Sequence, residues 1–173
     1  MKYKVIDNFL DKDYFNMLRQ LFLDEKTGER FRIPWFYESS ISYPKDHENS
    51  IEEDNLFYMV HILYDNSVPM SNFYNEMVPL LQKLEVHCLI RIKTNLYPNT
   101  TILHEHPMHI DDNFPQSAAL LSLNTCDGYT KLKDGTKIDS VANRMLLFDP
   151  CEEHCSTTTT NVKARFNLNV NYI

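Results

Sequence analysis

Residues 164 to 172 alternate without a break. Phe166, Leu168, Val170 and Tyr172 fall on one side, and Arg165, Asn167, Asn169 and Asn171 on the other. Successive side chains of a strand point to opposite faces, so this segment predicts a strand with one apolar and one polar face. A strand buried in an apolar core on both sides would not carry one Arg and three Asn on a single face. Either that face is solvated, or it lines a polar pocket.

The period of two starts well before this strand. Val86, Cys88, Ile90 and Ile92 alternate with His87, Leu89, Arg91 and Lys93, and strand-like runs follow at Ser117 to Asn124 and Arg144 to Phe148. Asp127-Gly128 and Asp134-Gly135 are turn dipeptides between them. Ahead of residue 86 the pattern is mostly helical. A short strand at Tyr3 to Ile6 leads to Asp11, a helix N-cap, after which Tyr14, Phe15, Leu18, Leu21 and Phe22 recur at helical spacing. Phe73, Met77, Leu80, Leu81 and Leu84 mark a second helix, which Pro79 should start or kink. Residues 24 to 56 are polar, interrupted by Pro34 and Pro44. They read as a long loop, with a strand around Trp35 to Ser42 and an acidic stretch from Glu48 to Asp54.

Helices first and strands after predict an α+β chain, mainly β: an antiparallel sheet or barrel with helices packed outside, not a βαβ fold. At 173 residues the chain is expected to form a single domain, residues 1–85 being its helical and loop part and 86–173 its strand-rich core.

Several function classes drop out. The net charge of −7 disfavours a protein that tracks nucleic-acid phosphates. No segment approaches the roughly 20 apolar residues of a membrane span, and the N-terminus has no apolar signal core. The only glycines, Gly28, Gly128 and Gly135, cannot write a dinucleotide or P-loop phosphate cradle. Cys88, Cys126, Cys151 and Cys155 contain no C-x-x-C pair, and without a signal they are expected as free thiols in a reducing, cytoplasmic setting.

The chemistry concentrates in His104-Glu-His-Pro-Met-His109-Ile-Asp111-Asp. On a strand, His109 and Asp111 would point to the same side. His154 follows 43 residues after Asp111, behind the run ending at Phe148. Two imidazoles and one carboxylate, leaving other positions open, suit non-haem Fe(II). Arg165 lies 11 residues beyond His154 and opens the final alternating strand, with a planar fork suited to a bidentate carboxylate grip. Asn95 and Tyr97 close the strand before the histidine cluster.

This pattern of H-x-D, a distal His and an Arg about ten residues on resembles the 2-oxoglutarate- and Fe(II)-dependent dioxygenase superfamily. The similarity runs over residues 86 to 173, including Asp127-Gly128-Tyr129-Thr130, Asp134-Gly135 and the segment Asn143 to Asp149. Asp7-Asn8-Phe9-Leu10 leading into a helix is similar to the entry of prolyl-hydroxylase-like members. The resemblance implies a double-stranded β-helix (jelly-roll) core, Fe(II) on His109, Asp111 and His154, and 2-oxoglutarate held through Arg165. Asn95 and Tyr97 match an N-x-Y element that touches the co-substrate in the alkylation-repair branch. Arg165-x-Asn167 echoes that branch too, while Asn169 and Asn171 depart from its Thr and second Arg and argue against nucleic-acid repair. The implied activity is hydroxylation of a C–H bond of a small molecule or peptide by O2, with release of succinate and CO2. A non-catalytic jelly-roll or cupin-like module that binds a metal or ligand is the alternative.

Other residues are read more plainly. His104 and His106 are expected on a loop over the pocket mouth, in reach of substrate. Trp35 is expected as an aromatic core or lid anchor. A zinc site drawn from Cys126, Cys151, His154 and Cys155 lacks the paired knuckles of structural zinc.

Overall fold

The computed structural model describes residues 3–23, 33–39 and 56–173. Among these residues two α-helices and eleven strands follow in chain order, with a 3-10 turn at Tyr74–Met77 leading into α2: β1 (Tyr3–Ile6), α1 (Lys12–Leu23), β2 (Phe36–Glu38), β3 (Tyr58–Asp65), β4 (Val68–Pro69), α2 (Val78–Lys83), β5 (Leu89–Pro98), β6 (Ser117–Ser122), β7 (Tyr129–Leu132), β8 (Lys137–Asp139), β9 (Met145–Phe148), β10 (His154–Cys155) and β11 (Ala164–Tyr172).

The strands form two antiparallel sheets. The large one runs β1-β9-β6-β11-β5-β3-β2, with β4 on β3, and the small one runs β10-β7-β8. Residues 104–109 extend the small sheet beyond β10 through the bridges Glu105↔Thr157 and His109↔His154. Chain-adjacent β6 and β7 lie in different sheets, as do β9 and β10. That alternation between facing sheets is the jelly-roll arrangement that the family resemblance implies.

Each face of the large sheet has a different covering. Its outer face, including Ile92, Ala119, Leu121, Met145, Leu168 and Val170, packs with Phe15, Leu18 and Phe22 of α1 and Leu80 of α2. Burying one such Leu or Phe is worth about 1.5–3 kcal/mol. Asp11 caps α1, its Oδ1 accepting from Tyr14 N–H at 2.9 Å. Pro79 falls in the first turn of α2, where its missing N–H costs nothing. Between the sheets, Ala118, Leu132, Ile138, Leu146 and Phe148 form a second, smaller core. Trp35 joins the large core edge-on to Phe166, with ring centroids 5.9 Å apart.

Most strands lie where the alternation placed them, and β11 matches to the residue. The strand begun at Val86 in the sequence reading starts at Leu89, because Glu85 takes a positive φ of 54° and turns the chain out of α2. Strand β3 was not anticipated, nor were the short strands β4, β7, β8 and β10. Of the segment from Trp35 to Ser42, β2 is a strand, and residues 40–42 lie outside the described residues, as does the acidic stretch 48–54.

Candidate metal centre and its cleft

The polar face of β11 is buried, not solvated. Arg165, Asn167, Asn169 and Asn171 are each no more than 6% exposed. The pairing with β5 explains how. Arg165 lies opposite Tyr97, Asn167 opposite Asn95, Asn169 opposite Lys93, and Asn171 opposite Arg91. Two polar faces with the same period thus meet in register and form the floor of a cleft between the sheets. Lys93, Asn95, Tyr97, Asn167 and Asn169 line it, with His109, Asp111 and His154 on its other wall.

The three metal-type side chains converge. One ligand atom from each of His109, Asp111 and His154 lies within 4.8 Å of the others, a group that could hold a metal ion. Backbone pairing causes this. His109 N–H donates to His154 O and His154 N–H to His109 O, both at 2.9 Å, which fixes the rings 4.6 Å apart. Asp111 is not on a regular strand. It sits in a bend held by its N–H to Pro150 O at 2.9 Å, and that bend turns the carboxylate back toward both rings. Its Oδ1 lies 3.9 Å from His109 Nε2 and 3.8 Å from His154 Nε2. The other ring nitrogens are occupied by carbonyls: Pro107 O at 3.3 Å from His109 Nδ1, and Glu152 O at 3.0 Å from His154 Nδ1. Those contacts place N–H on Nδ1 and leave both Nε2 lone pairs facing the carboxylate.

Electrostatics favour the ligating forms of His109 and Asp111. Burial pushes the His109 pKa down, helped by neighbouring His154. Burial alone would raise that of Asp111, but His154, Lys93, the Asn171 hydrogen bond and Arg91 together hold it below its usual value. A neutral imidazole beside an ionised carboxylate is what a divalent cation requires. Asp111 Oδ2 accepts from Asn171 Nδ2 at 2.8 Å and has Arg91 Nη2 at 3.7 Å, so Oδ1 is the oxygen left toward the histidines.

Arg165 lies at the other end of the polar face and is 1% exposed. Its Nε donates to Ser140 Oγ at 2.7 Å, its Nη1 to Thr157 O at 3.2 Å and its Nη2 to Thr130 Oγ1 at 2.9 Å. Every partner is neutral, and among the described residues no carboxylate pairs with it. Its guanidinium also lies 5.6 Å from the Tyr97 ring centroid. Gly128 makes room for it: a Cβ there would come within 2.6 Å of Thr158 O and 2.8 Å of Arg165 Cδ.

Asn95 Nδ2 donates to Asn167 Oδ1 at 2.8 Å, while Asn95 Oδ1 is buried without a partner. His106 is not at the cleft mouth. It is 3% exposed, bonded through Nδ1 to Ser156 Oγ at 2.7 Å and tilted against Tyr97, and burial pushes its pKa down to about 3. The four cysteines are free thiols, and the only metal-type group among the described residues is His109, Asp111 and His154. Sequence reasoning passed over Lys93 and Arg91. The signal was their period-two spacing with Asn95 and Tyr97.

No family model matches the chain, and no curated protein matches it. Solved structures do. A prolyl hydroxylase from Trichoplax adhaerens, in complex with a hypoxia inducible factor oxygen degradation domain peptide fragment, aligns with a TM-score of 0.65 at 14% identity, over 99% of this chain and 83% of that one. An oxidoreductase of the 2OG-Fe(II) oxygenase family from Burkholderia pseudomallei gives 0.65 at 10% identity, over 98% and 84%. The chain has the 2-oxoglutarate/Fe(II) oxygenase fold. HygX from Streptomyces hygroscopicus, with nickel and 2-oxoglutarate bound, gives 0.60 at 10% identity, over 98% and 82%. At such identities the likeness speaks for the fold, and the argument for activity rests on the side chains of the cleft.

Proposed function

We propose that the protein is an Fe(II)- and 2-oxoglutarate-dependent dioxygenase that hydroxylates a C–H bond of a small metabolite or peptidyl residue and releases succinate and CO2. The observation that carries this reading is a buried guanidinium without an anion, at one end of the polar face of β11 that a His-Asp-His group confronts across the cleft. A buried cation costs several kcal/mol unless it is paired. Arg165, surrounded by neutral partners, fits an incoming carboxylate. The nitrogen–oxygen donor set of His109, Asp111 and His154 fits the metal of the same pair of cofactors.

His109, Asp111 and His154 would hold the metal, and Arg165 would hold the distal carboxylate of 2-oxoglutarate, with Tyr97, Asn95 and Asn167 lining its bed. When bound, the two supply O2 activation and the oxidising power for the C–H bond. The chain's own work is positional. Pro107 O and Glu152 O fix the imidazole tautomers. Asn171 holds one carboxylate oxygen of Asp111 so that the other is presented. Thr130, Ser140 and Thr157 O aim the guanidinium, and Gly128 leaves the space that lets it lie there. Three protein donors leave positions on the metal for co-substrate and O2. Leu120 and Phe148 also line the cleft and exclude water from one side.

Purified protein given Fe(II), 2-oxoglutarate and O2 should release succinate, and Arg165→Ala should abolish release at low 2-oxoglutarate while retaining iron. Folded, iron-loaded protein that never releases succinate would instead favour a non-catalytic jelly-roll metal- or ligand-binding module.

A further inference from the structure

Two polar side chains of the cleft floor touch neither the metal group nor the bed of 2-oxoglutarate in the arrangement above, Lys93 acting on Asp111 only through space. Lys93 and Asn169 lie directly opposite each other on β5 and β11, and both line the cleft. Lys93 forms no ion pair and no side-chain hydrogen bond among the described residues. The acids that act on it, Asp111, Glu38 and Asp65, do so only through space, and burial pushes its ammonium down to about 8. Asn169 is 6% exposed, and its Oδ1 has no partner. An unpaired cation facing an amide whose oxygen has no partner, inside a cleft, is a site prepared for a polar ligand.

The neighbouring cations are committed elsewhere. Arg91 donates to Asn171 Oδ1 at 3.2 Å and stands beside Asp111. Arg165 is four residues from Asn169 along β11, which separates their Cα atoms by roughly 13 Å at the strand rise. A five-carbon diacid anchored on Arg165 would have its second carboxylate answered by the metal. Lys93 therefore remains for a different anion. The chain is acidic overall, at −7, so this positive point is a local feature of the cleft and not part of a basic surface.

Building on the dioxygenase reading, we propose that Lys93 and Asn169 form the receptor for a carboxylate of the primary substrate, which makes that substrate a small free carboxylic acid, such as an amino or hydroxy acid, and not an internal peptidyl residue. The ammonium and the Asn169 amide N–H donate to the two carboxylate oxygens. Leu120 and Phe148 lie against the body of the acid, beside the metal group. Asn169 Oδ1 is then free to accept from an amino or hydroxyl group next to the carboxylate.

The test is substrate-stimulated succinate release, with L-amino acids and 2-hydroxy acids each offered beside its own primary amide. At least one acid should stimulate release where its amide does not. Lys93→Met should raise the KM for that acid about tenfold or more, equivalent to roughly 1.4 kcal/mol, and change 2-oxoglutarate half-saturation less than about twofold. Lys93→Arg should recover much of the loss. Turnover of 2-oxoglutarate with no acid preferred over its amide overturns the proposal alone. So does a Lys93→Met variant that weakens 2-oxoglutarate as strongly as Arg165→Ala does. No 2-oxoglutarate turnover at all overturns the dioxygenase reading, and this proposal with it.

Discussion

His109 and His154, 45 residues apart in the chain, sit opposite each other on one antiparallel bridge and exchange both backbone hydrogen bonds. The imidazoles are therefore placed by main chain, not by loop conformation. A site set in this way is organised before any ligand arrives, so little of the binding free energy goes into ordering the protein.

Asn171 should act on the metal through Asp111. Its amide holds the carboxylate oxygen turned away from the histidines. Asn171→Leu keeps the volume and removes the donor, so metal affinity should fall about 10- to 100-fold. An anaerobic Fe(II) titration measures this, and an unchanged far-ultraviolet circular dichroism spectrum shows that the fold is intact.

Arg165→Met should separate the two cofactors. Loss of a buried charge-assisted pair is worth about 2–3 kcal/mol, so 2-oxoglutarate affinity should fall roughly 30- to 150-fold. Iron affinity should stay within about threefold of wild type. Equal loss of both in parallel titrations would contradict the role given to Arg165.

Gly128→Ala should damage both stability and co-substrate binding. The new methyl would meet the Thr158 carbonyl and the Arg165 side chain below 3.0 Å, and the carbonyl cannot swing away as a flexible side chain would. Overpacking of this kind costs about 1–3 kcal/mol, or about 2–12 °C in Tm. Calorimetry reads the first effect, and 2-oxoglutarate titration the second.

Lys93→Met should stabilise the apo protein near neutral pH. The folded pKa of about 8 lies below the ordinary lysine value of 10.5, so the folded state resists protonation. The unfolded state binds more protons between these two values. Wild-type stability relative to the variant is therefore lowest below pH 8 and recovers as pH rises toward 10.5. Discounted for the solvent that Lys93 still meets, the gain at pH 7 is about 1–2 kcal/mol. Paired urea titrations at pH 7 and pH 10 should show the advantage of Lys93→Met shrinking at the higher pH.

Much of this was legible along the chain, and the rest was not, for one physical reason. Alternation is a local property, so Arg165 to Tyr172 announced its own polar face, and H-x-D announced an imidazole and a carboxylate close together. Register is a property of pairs. Only the alignment of Lys93 with Asn169 and Asn95 with Asn167 shows that the two polar faces cover each other instead of facing solvent. The same holds for Gly128, a turn glycine in the sequence that proves to be the space occupied by the Arg165 side chain. His106 looked like a mouth residue because its neighbours His104 and His109 drew it into the cluster, yet Ser156 and Tyr97 hold it inside. Strand β3 was missed because its face is mixed: His61 is buried at 3% exposure with Pro34 O and Ser71 Oγ as partners, which hides the apolar alternation around it.

The most direct measurement is anaerobic. Fe(II) is added to the metal-free protein, 2-oxoglutarate is titrated in, and the visible charge-transfer band of chelated iron is followed, with His154→Ala as the comparison. The account predicts a band that saturates at one equivalent of iron and is missing in His154→Ala. Folded wild-type protein that binds iron without ever showing the band, or a His154→Ala variant that shows it undiminished, would contradict the assignment of His109, Asp111 and His154 to a common ion.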